Sequence, residues 1–385
     1  MEVTPIDYPI NLILIIIGTF LCVSLGTFLF FVKSSKSLAN VFLGCLILCM
    51  LSAFSTAFLY RFGLLDHFPH VIGLQRYSRF AFGPLTFFFV LASIQKGFEW
   101  RWKMLIHFIP FFTFMAFDFN FLFQSGVEKM DYYVNLIRSG ELKTAKAVDV
   151  FSAIYSVVYY VLAAQQVLQY RQHVNNSTSS IDEGYHRWVL FFIGILAFPF
   201  ISLMIFAFVD YDRALIALMF SSYMLFVLSV YIAALIKPKL FHRFPHQMPN
   251  PDSSSEKRQK YETSNLAEDD KLRYVQKLEA YIRDEKPYLE PELTLAQLAD
   301  KIGVPAHYLS QVINEKLNQN FLDYINGHRI EEAKRKLLDD QNERYTILSI
   351  AFDSGFNSKS TFYSAFKKAT GMTPNQYRQS SKTAV

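Results

Sequence analysis

Leu295-Ala-Gln-Leu-Ala-Asp-Lys-Ile-Gly303 recurs 52 residues later as Ile347-Leu-Ser-Ile-Ala-Phe-Asp-Ser-Gly355. Leu295, Leu298, Ala299 and Gly303 return as Ile347, Ile350, Ala351 and Gly355. One residue is then inserted, and Leu309, Ile313 and Tyr324 return as Phe362, Phe366 and Tyr377, shifted by 53. Apolar residues three and four apart define the buried stripe of a short helix. A glycine after the stripe ends it in a left-handed turn. The spacing therefore predicts two helix-turn-helix motifs, at residues 293–325 and 345–378. A duplicated module of this kind can reach two successive major-groove faces of one duplex.

The capping signals agree. Thr294 and Gln297 form a capping box. Pro305 starts a second helix whose Leu309, Val312 and Ile313 point inward. His307, Tyr308, Ser310, Gln311 and Asn314 are left outside. A long helix from Phe321 to Asp339, with Ile325, Ile330, Ala333 and Leu337 inside, joins the copies. In the second copy Ser358 is the expected N-cap, Phe362 and Phe366 are inside, and Lys359, Ser360, Thr361, Tyr363, Ser364 and Lys367 are expected outside, with Lys368 beside them as a further DNA-binding candidate. Gly371 ends that helix, and Pro374 opens a last short one. Residues 354–385 hold five basic side chains and no acid. The second copy should thus attract phosphates, and the first should read with neutral polar groups.

The rest of the chain differs in kind. Residues 1–236 carry 15 of the 38 Lys+Arg and 13 of the 33 Asp+Glu, and residues 237–385 carry the remaining 23 and 20. About 20 apolar residues cross a bilayer as a helix. Seven stretches approach this: 9–32, 39–60, 77–94, 104–123, 148–170, 188–209 and 214–236. Pro84, Pro110 and Pro199 interrupt three of them, as kinks whose freed carbonyls need other partners. The expected fold is all-α: a seven-helix transmembrane bundle at 1–236, a flexible linker at 237–270 and a cytoplasmic helical domain at 271–385. An odd number of spans with a DNA-binding tail inside puts the N-terminus outside, and the basic-residue bias leans the same way. Met1 to Tyr8 lacks a basic stretch and a clear cleavage site, so no removable signal peptide is expected.

Polar residues gather at the expected outer ends. Arg79, Asp118, Asn120 and Asp149 are the candidate signal-binding residues. Asp118 lies in Phe-Asp-Phe-Asn-Phe, where an unpaired carboxylate is costly, and Arg79 at matching depth is its expected partner. A structural ion pair is the alternative to a signal pocket. Cys22, Cys45 and Cys49 read as apolar filler. No His/Cys/Asp constellation has ligand or nucleophile spacing, so no catalytic residue, metal or cofactor is expected and the chain is not read as an enzyme.

The residues from about Leu272 to Arg378 resemble the DNA-binding domain of the AraC/XylS family of bacterial transcription regulators. Ile350, Ala351, Gly355, Phe356, Ser358, Phe362, Phe366, Lys367, Lys368, Gly371, Thr373, Pro374, Tyr377 and Arg378 match its signature, and Arg329, Ile330, Ala333 and Leu337 match its linking helix. The resemblance implies two recognition helices on one duplex. Its base-reading positions fall on His307, Ser310 and Gln311, and on Lys359, Ser360, Thr361, Tyr363 and Ser364. Asn318 replaces the usual glycine, which the fold tolerates because asparagine enters the left-handed region. The seven spans resemble the membrane-embedded subgroup of the family. The expected partners are promoter DNA, the bilayer of the bacterial cytoplasmic membrane, RNA polymerase, and a small-molecule or peptide signal. A stripe at Tyr274, Leu278, Tyr281 and Ile282 leaves homodimer formation open. A transporter or channel with a DNA-binding tail is the alternative reading.

Overall fold

The computed structural model describes residues 9–31, 37–95, 97–139, 145–179, 183–206, 213–236, 266–339 and 344–382. The expected flexible linker at 237–270 falls almost wholly outside these residues. Apart from isolated bridges, every regular element among the described residues is helical. The chain divides into two compact units. One comprises residues 1–168 and 188–250, the other residues 169–187 and 251–385.

In the first unit, α1 (Pro9–Phe31) packs on α2 (Leu38–Arg61), and α2 on α4 (Phe82–Ile94). The short α3 (Leu74–Ser78) precedes α4. α5 (Ile109–Phe117), α6 (Phe119–Leu122) and α7 (Gly126–Ser139) follow, then α8 (Ala145–Ser177), α9 (Glu183–Phe206) and α10 (Arg213–Ile236). The described parts of the seven apolar stretches are largely helical, but the expected seven spans do not all appear as long rods. Among the described residues three helical stretches are long and apolar enough to cross a membrane: Leu12–Leu29, Leu38–Arg61 and Ala147–Ser177. The bent pair Pro69–Ser78 and Phe82–Ile94, at 62°, would be a fourth. Pro84 stands in the first turn of α4, and proline there disfavours helix before it. The stretch at 104–123 runs as a 3-10 turn over Trp102–Phe108, then α5 with Pro110 in its first turn. Nine residues of α5 rise only about 14 Å at 1.5 Å each. Large apolar side chains stay exposed on α1 (Ile13, Ile17, Phe20) and α8 (Phe151, Ile154, Val158).

The second unit holds the repeat. α11 (Glu268–Glu285) leads into α12 (Leu295–Lys301) and α13 (Ala306–Lys316), the first helix-turn-helix. α14 (Phe321–Leu338) links to α15 (Ile347–Asp353) and α16 (Lys359–Thr370), the second, and α17 (Pro374–Lys382) closes the chain. α11 begins four residues before the expected Leu272. Glu268, Asp269 and Asp270 fill its first turn, where carboxylates complement the positive end of the helix dipole.

The linking helix belongs to two cores at once. Phe321, Tyr324 and Ile325 complete a cluster with Leu278, Leu298, Leu309 and Ile313. Ile330, Ala333 and Leu337 complete another with Ile350, Ala351, Phe362 and Phe366. Neither motif has a sufficient core alone, and each borrows a face of α14. At the junction Arg329 is 1% exposed. Its Nε donates to the Tyr288 carbonyl at 2.7 Å and its Nη2 to the Glu290 carbonyl at 2.7 Å. Its Nη1 donates to the Ser179 carbonyl at 2.6 Å. Burial lowers its pKa to about 10, still a cation at neutral pH, held by neutral acceptors of the kind a buried charge requires.

Candidate nucleic-acid interface

α13 and α16 occupy equivalent places in the two motifs. The glycines before them adopt the predicted left-handed turns, with φ of 66° at Gly303 and 89° at Gly355. The caps form as expected. Thr294 and Gln297 make a reciprocal capping box. The Ser358 side chain accepts from the Thr361 amide, and Gly371 caps α16 at φ 74°. Asn318 takes φ 56°, the left-handed value expected of it.

On α13, His307 and Asn314 are exposed, and Ser310 and Gln311 are half-buried. Gln311 Nε2 donates to Glu315 at 3.0 Å, and Asn314 Nδ2 to the Ser310 carbonyl at 2.8 Å. Tyr308 turns away from this face. It stacks on Tyr274 at 6.3 Å and packs against the first core. The charges at the end of α13 are met by α11: Lys271 pairs with Glu315 at 3.0 Å, and Lys316 with Glu268. The first copy thus presents mainly neutral polar atoms.

On α16, Lys359, Ser360, Ser364, Lys367 and Lys368 are exposed, and Thr361 and Tyr363 half-buried. Lys359 Nζ lies 5.5 Å from the Tyr363 ring centre, a cation–π contact that orients it along the helix face. Among the described residues neither Lys359 nor Lys367 has a carboxylate partner. Lys368 pairs with Asp323 at 2.8 Å. Hydroxyls of Ser358 and Thr361 lie 2.8 Å apart. The structure therefore brings Lys359, Ser360, Ser364 and Lys367 onto one accessible face and places Tyr308 elsewhere.

The candidate signal residues lie in the first unit, and one expected pairing is corrected. Asp118 pairs with Arg76 at 3.4 Å and accepts from the Tyr77 hydroxyl at 2.8 Å, not with Arg79. α3, which carries Arg76 and Tyr77, packs on α5, which Asp118 caps. Arg79 stands beyond the end of α3 and pairs with Asp149 near the start of α8. Asn120 is exposed. Lys129, which the sequence offers only as a basic residue of an outer segment, is 2% exposed and donates to the Leu122 carbonyl at 2.9 Å.

Arg329 is the other residue the sequence reading undervalued. It matched the linking-helix pattern, yet its role as a buried junction was not drawn. The signal was present: Ile325, Arg329, Ala333 and Leu337 fall four residues apart, so the arginine stands in the inward stripe.

Residues 298–380 match the model of a family described as "Helix-turn-helix domain". The C-terminal part of the chain thus carries a helix-turn-helix domain of AraC type, the fold class of sequence-reading DNA-binding modules. The melibiose operon regulatory protein of Escherichia coli strain K12 is 33% identical over 109 residues, which are 28% of this chain and 34% of that protein. A protein of Staphylococcus aureus strain MSSA476 named as an HTH-type transcriptional regulator is 36% identical over 91 residues, 24% of this chain and 12% of that protein. The chain therefore spans about a third or less of the length of these relatives. A solved structure of a protein of unknown function from Listeria innocua is 33% identical, covering 27% of this chain and 94% of that one, with a TM-score of 0.24.

Proposed function

We propose that the protein is a membrane-anchored, sequence-specific DNA-binding transcription regulator of AraC/XylS type that couples a signal met at or within the membrane to promoter binding. One observation carries the DNA-binding part: two helix-turn-helix units share the core of one linking helix, and their second helices present polar and basic side chains to the outside. The relatives named as an HTH-type transcriptional regulator and as an operon regulatory protein support the same reading. Support for the membrane part comes from the three helical stretches, or four counting the bent pair, that are long and apolar enough to cross a membrane among the described residues, and from large apolar side chains left exposed on α1 and α8, since soluble surfaces rarely expose such patches. In this reading the N-terminus faces outward, the second unit is cytoplasmic, and RNA polymerase is a partner at the promoter. A signal would act on the charged cluster of Arg76, Arg79, Asp118 and Asp149.

Chromatin capture of the tagged full-length protein, followed by binding of the recovered fragments in detergent, tests the reading. Lys367→Ala should weaken binding to all sequences and lower the salt slope by about one unit. Gln311→Ala and Lys359→Ala should shift sequence preference, each costing roughly 1–3 kcal/mol at the affected position. Equal losses on recovered and random DNA for all three would refute the division of roles. Absence of enriched fragments would refute DNA binding itself.

A further inference from the structure

The second unit includes a segment remote in sequence from the repeat: residues 169–187. α8 runs unbroken through Leu168 into this segment and ends at Ser177. Beyond it the chain forms a short antiparallel bridge, Thr178 with Thr294. The Ser179 amide donates to the Leu293 carbonyl at 3.0 Å. Ser179 also accepts from the buried Arg329 guanidinium twice, at its carbonyl (2.6 Å) and its hydroxyl (3.0 Å). Both Thr178 and Ser179 are fully buried. These contacts are specific. Arg329 cannot lose its proton at neutral pH, and its N–H groups need acceptors in a site closed to water. Ser179 supplies two of them.

The same segment flanks the second recognition helix. Arg171 and Asn175 form one wall of a groove of 640 Å³. Thr361, Ser364 and Lys368 of α16 form another, with Asp323 on the floor. Thr361 and Ser364 are base-reading positions, and the Lys368 ammonium is already held by Asp323. A major groove about 12 Å wide admits one helix of about 10 Å diameter, not two. While the end of α8 lies beside α16, that face cannot sit in a major groove.

We infer that residues 171–179 dock on the helix-turn-helix unit as an intrachain latch, anchored by Ser179 on Arg329, that closes the DNA-reading face of α16 until the segment is withdrawn. The inference rests on the reading of α16 as a DNA-reading helix. Latched and DNA-bound states exclude each other, so apparent DNA affinity scales with the unlatched fraction. Because α8 is one helix from Ala145 to Ser177, a shift along its axis is a direct way to pull the anchor.

The test uses the full-length protein in detergent. Thr178→Cys with Thr294→Cys places thiols at a narrow antiparallel pair, where Cα atoms lie about 4.5 Å apart, within disulfide range. Binding is read by anisotropy with a fluorescent mixed-sequence duplex several helical turns long, at low ionic strength. The oxidised protein should bind about tenfold or more weakly than the same protein after reduction. Ser179→Pro, which removes both the amide donor and the hydroxyl, should bind more tightly than the parent. Failure of the disulfide to form, by mass spectrometry, overturns the docking geometry. Equal binding before and after reduction, or no gain in Ser179→Pro, overturns the latch. If the disulfide forms but no protein binds the duplex in any state, it is the DNA-reading assignment that fails, and the latch falls with it as a regulatory device.

Discussion

Gly303 and Gly355 occupy the same place in the two motifs, yet alanine should cost very different amounts at each. Both have positive φ, 66° and 89°, where an L-residue loses roughly 1–2 kcal/mol. Part of that is returned because alanine restricts the unfolded chain, by about 0.4–1 kcal/mol. At Gly303 nothing lies within 4 Å of an added Cβ, so the net cost is about 1 kcal/mol or less. At Gly355 the Cβ would stand 2.3 Å from the Tyr288 carbonyl oxygen, 2.9 Å from Leu289 Cα and 3.0 Å from Arg329 Nε. Backbone is the obstacle, so no side chain can swing clear. The Tyr288 carbonyl is also the acceptor for Arg329 Nε. Moving it endangers a buried charge-assisted bond worth about 1.5–3 kcal/mol. Together the loss is about 2–5 kcal/mol. Hydrogen exchange of the full-length protein in detergent, followed in peptides of α14, reads this directly, since that helix is in both cores. Each 1.4 kcal/mol is about tenfold in exchange rate. Gly303→Ala should accelerate exchange tenfold or less, and Gly355→Ala roughly thirtyfold or more. Equal acceleration by both would show that the contact between Gly355, Tyr288 and Arg329 does not hold the unit together.

Two other outcomes follow from charged groups. The His328 ring stacks on Tyr288 at 5.6 Å and meets Tyr324 edge-on at 4.9 Å; burial depresses its pKa. A depressed folded value means the unfolded chain binds more protons as pH falls, so stability is complete above about pH 6.5 and declines below it. The Glu332 carboxyl is held low by its bond to Arg335, which adds a second decline below about pH 4.3. Exchange in α14 against pH should therefore show two steps, and His328→Phe should remove only the upper one; an unchanged profile would refute the assignment. In the first unit, Asp118→Asn keeps an oxygen for the Tyr77 hydroxyl and removes the charge facing Arg76. Output from a promoter the protein binds should change while protein level is maintained, and normal output with normal folding would remove Asp118 from the signal site.

The second unit was legible because its information is local and repeated. Stripe spacing, caps at Thr294 and Ser358, and glycines at 303, 355 and 371 each specify a backbone conformation, and each is observed. The start of α11 was missed because polar acids continue a helix that apolar periodicity does not reveal. In the first unit hydropathy measured composition but not continuity. It could not place the break between Ser78 and Phe82, or the 3-10 turn before Pro110. Charge pairing was harder still. Depth along a helix put Arg79 level with Asp118, but rotation decides which side chain arrives, and Arg76 on the packed face of α3 does. Docking of Thr178 and Ser179 was invisible, since two small polar residues carry no pattern and their partner lies 150 positions away.

The asymmetry between the two copies gives the latch its leverage. The charges at the end of α13 are matched from α11, Lys316 by Glu268 and Glu315 by Lys271. That helix therefore adds little to phosphate attraction. α16 carries Lys359 and Lys367 without a carboxylate partner among the described residues, Lys368 being held by Asp323, and no acid stands between residues 354 and 385. Each phosphate neutralised releases about 0.9 counterion, so the electrostatic share of affinity resides in the second copy. A device covering α13 would blur sequence preference and leave most of the attraction intact. One covering α16 removes attraction and half of the readout together. The anchor is also placed economically: Arg329 lies where the two cores meet on α14, so a segment bound there is read by both motifs at once. On this reading latching lowers apparent affinity by the unlatched fraction at every salt concentration, while the steepness of the salt dependence is set by the phosphate contacts of the open form.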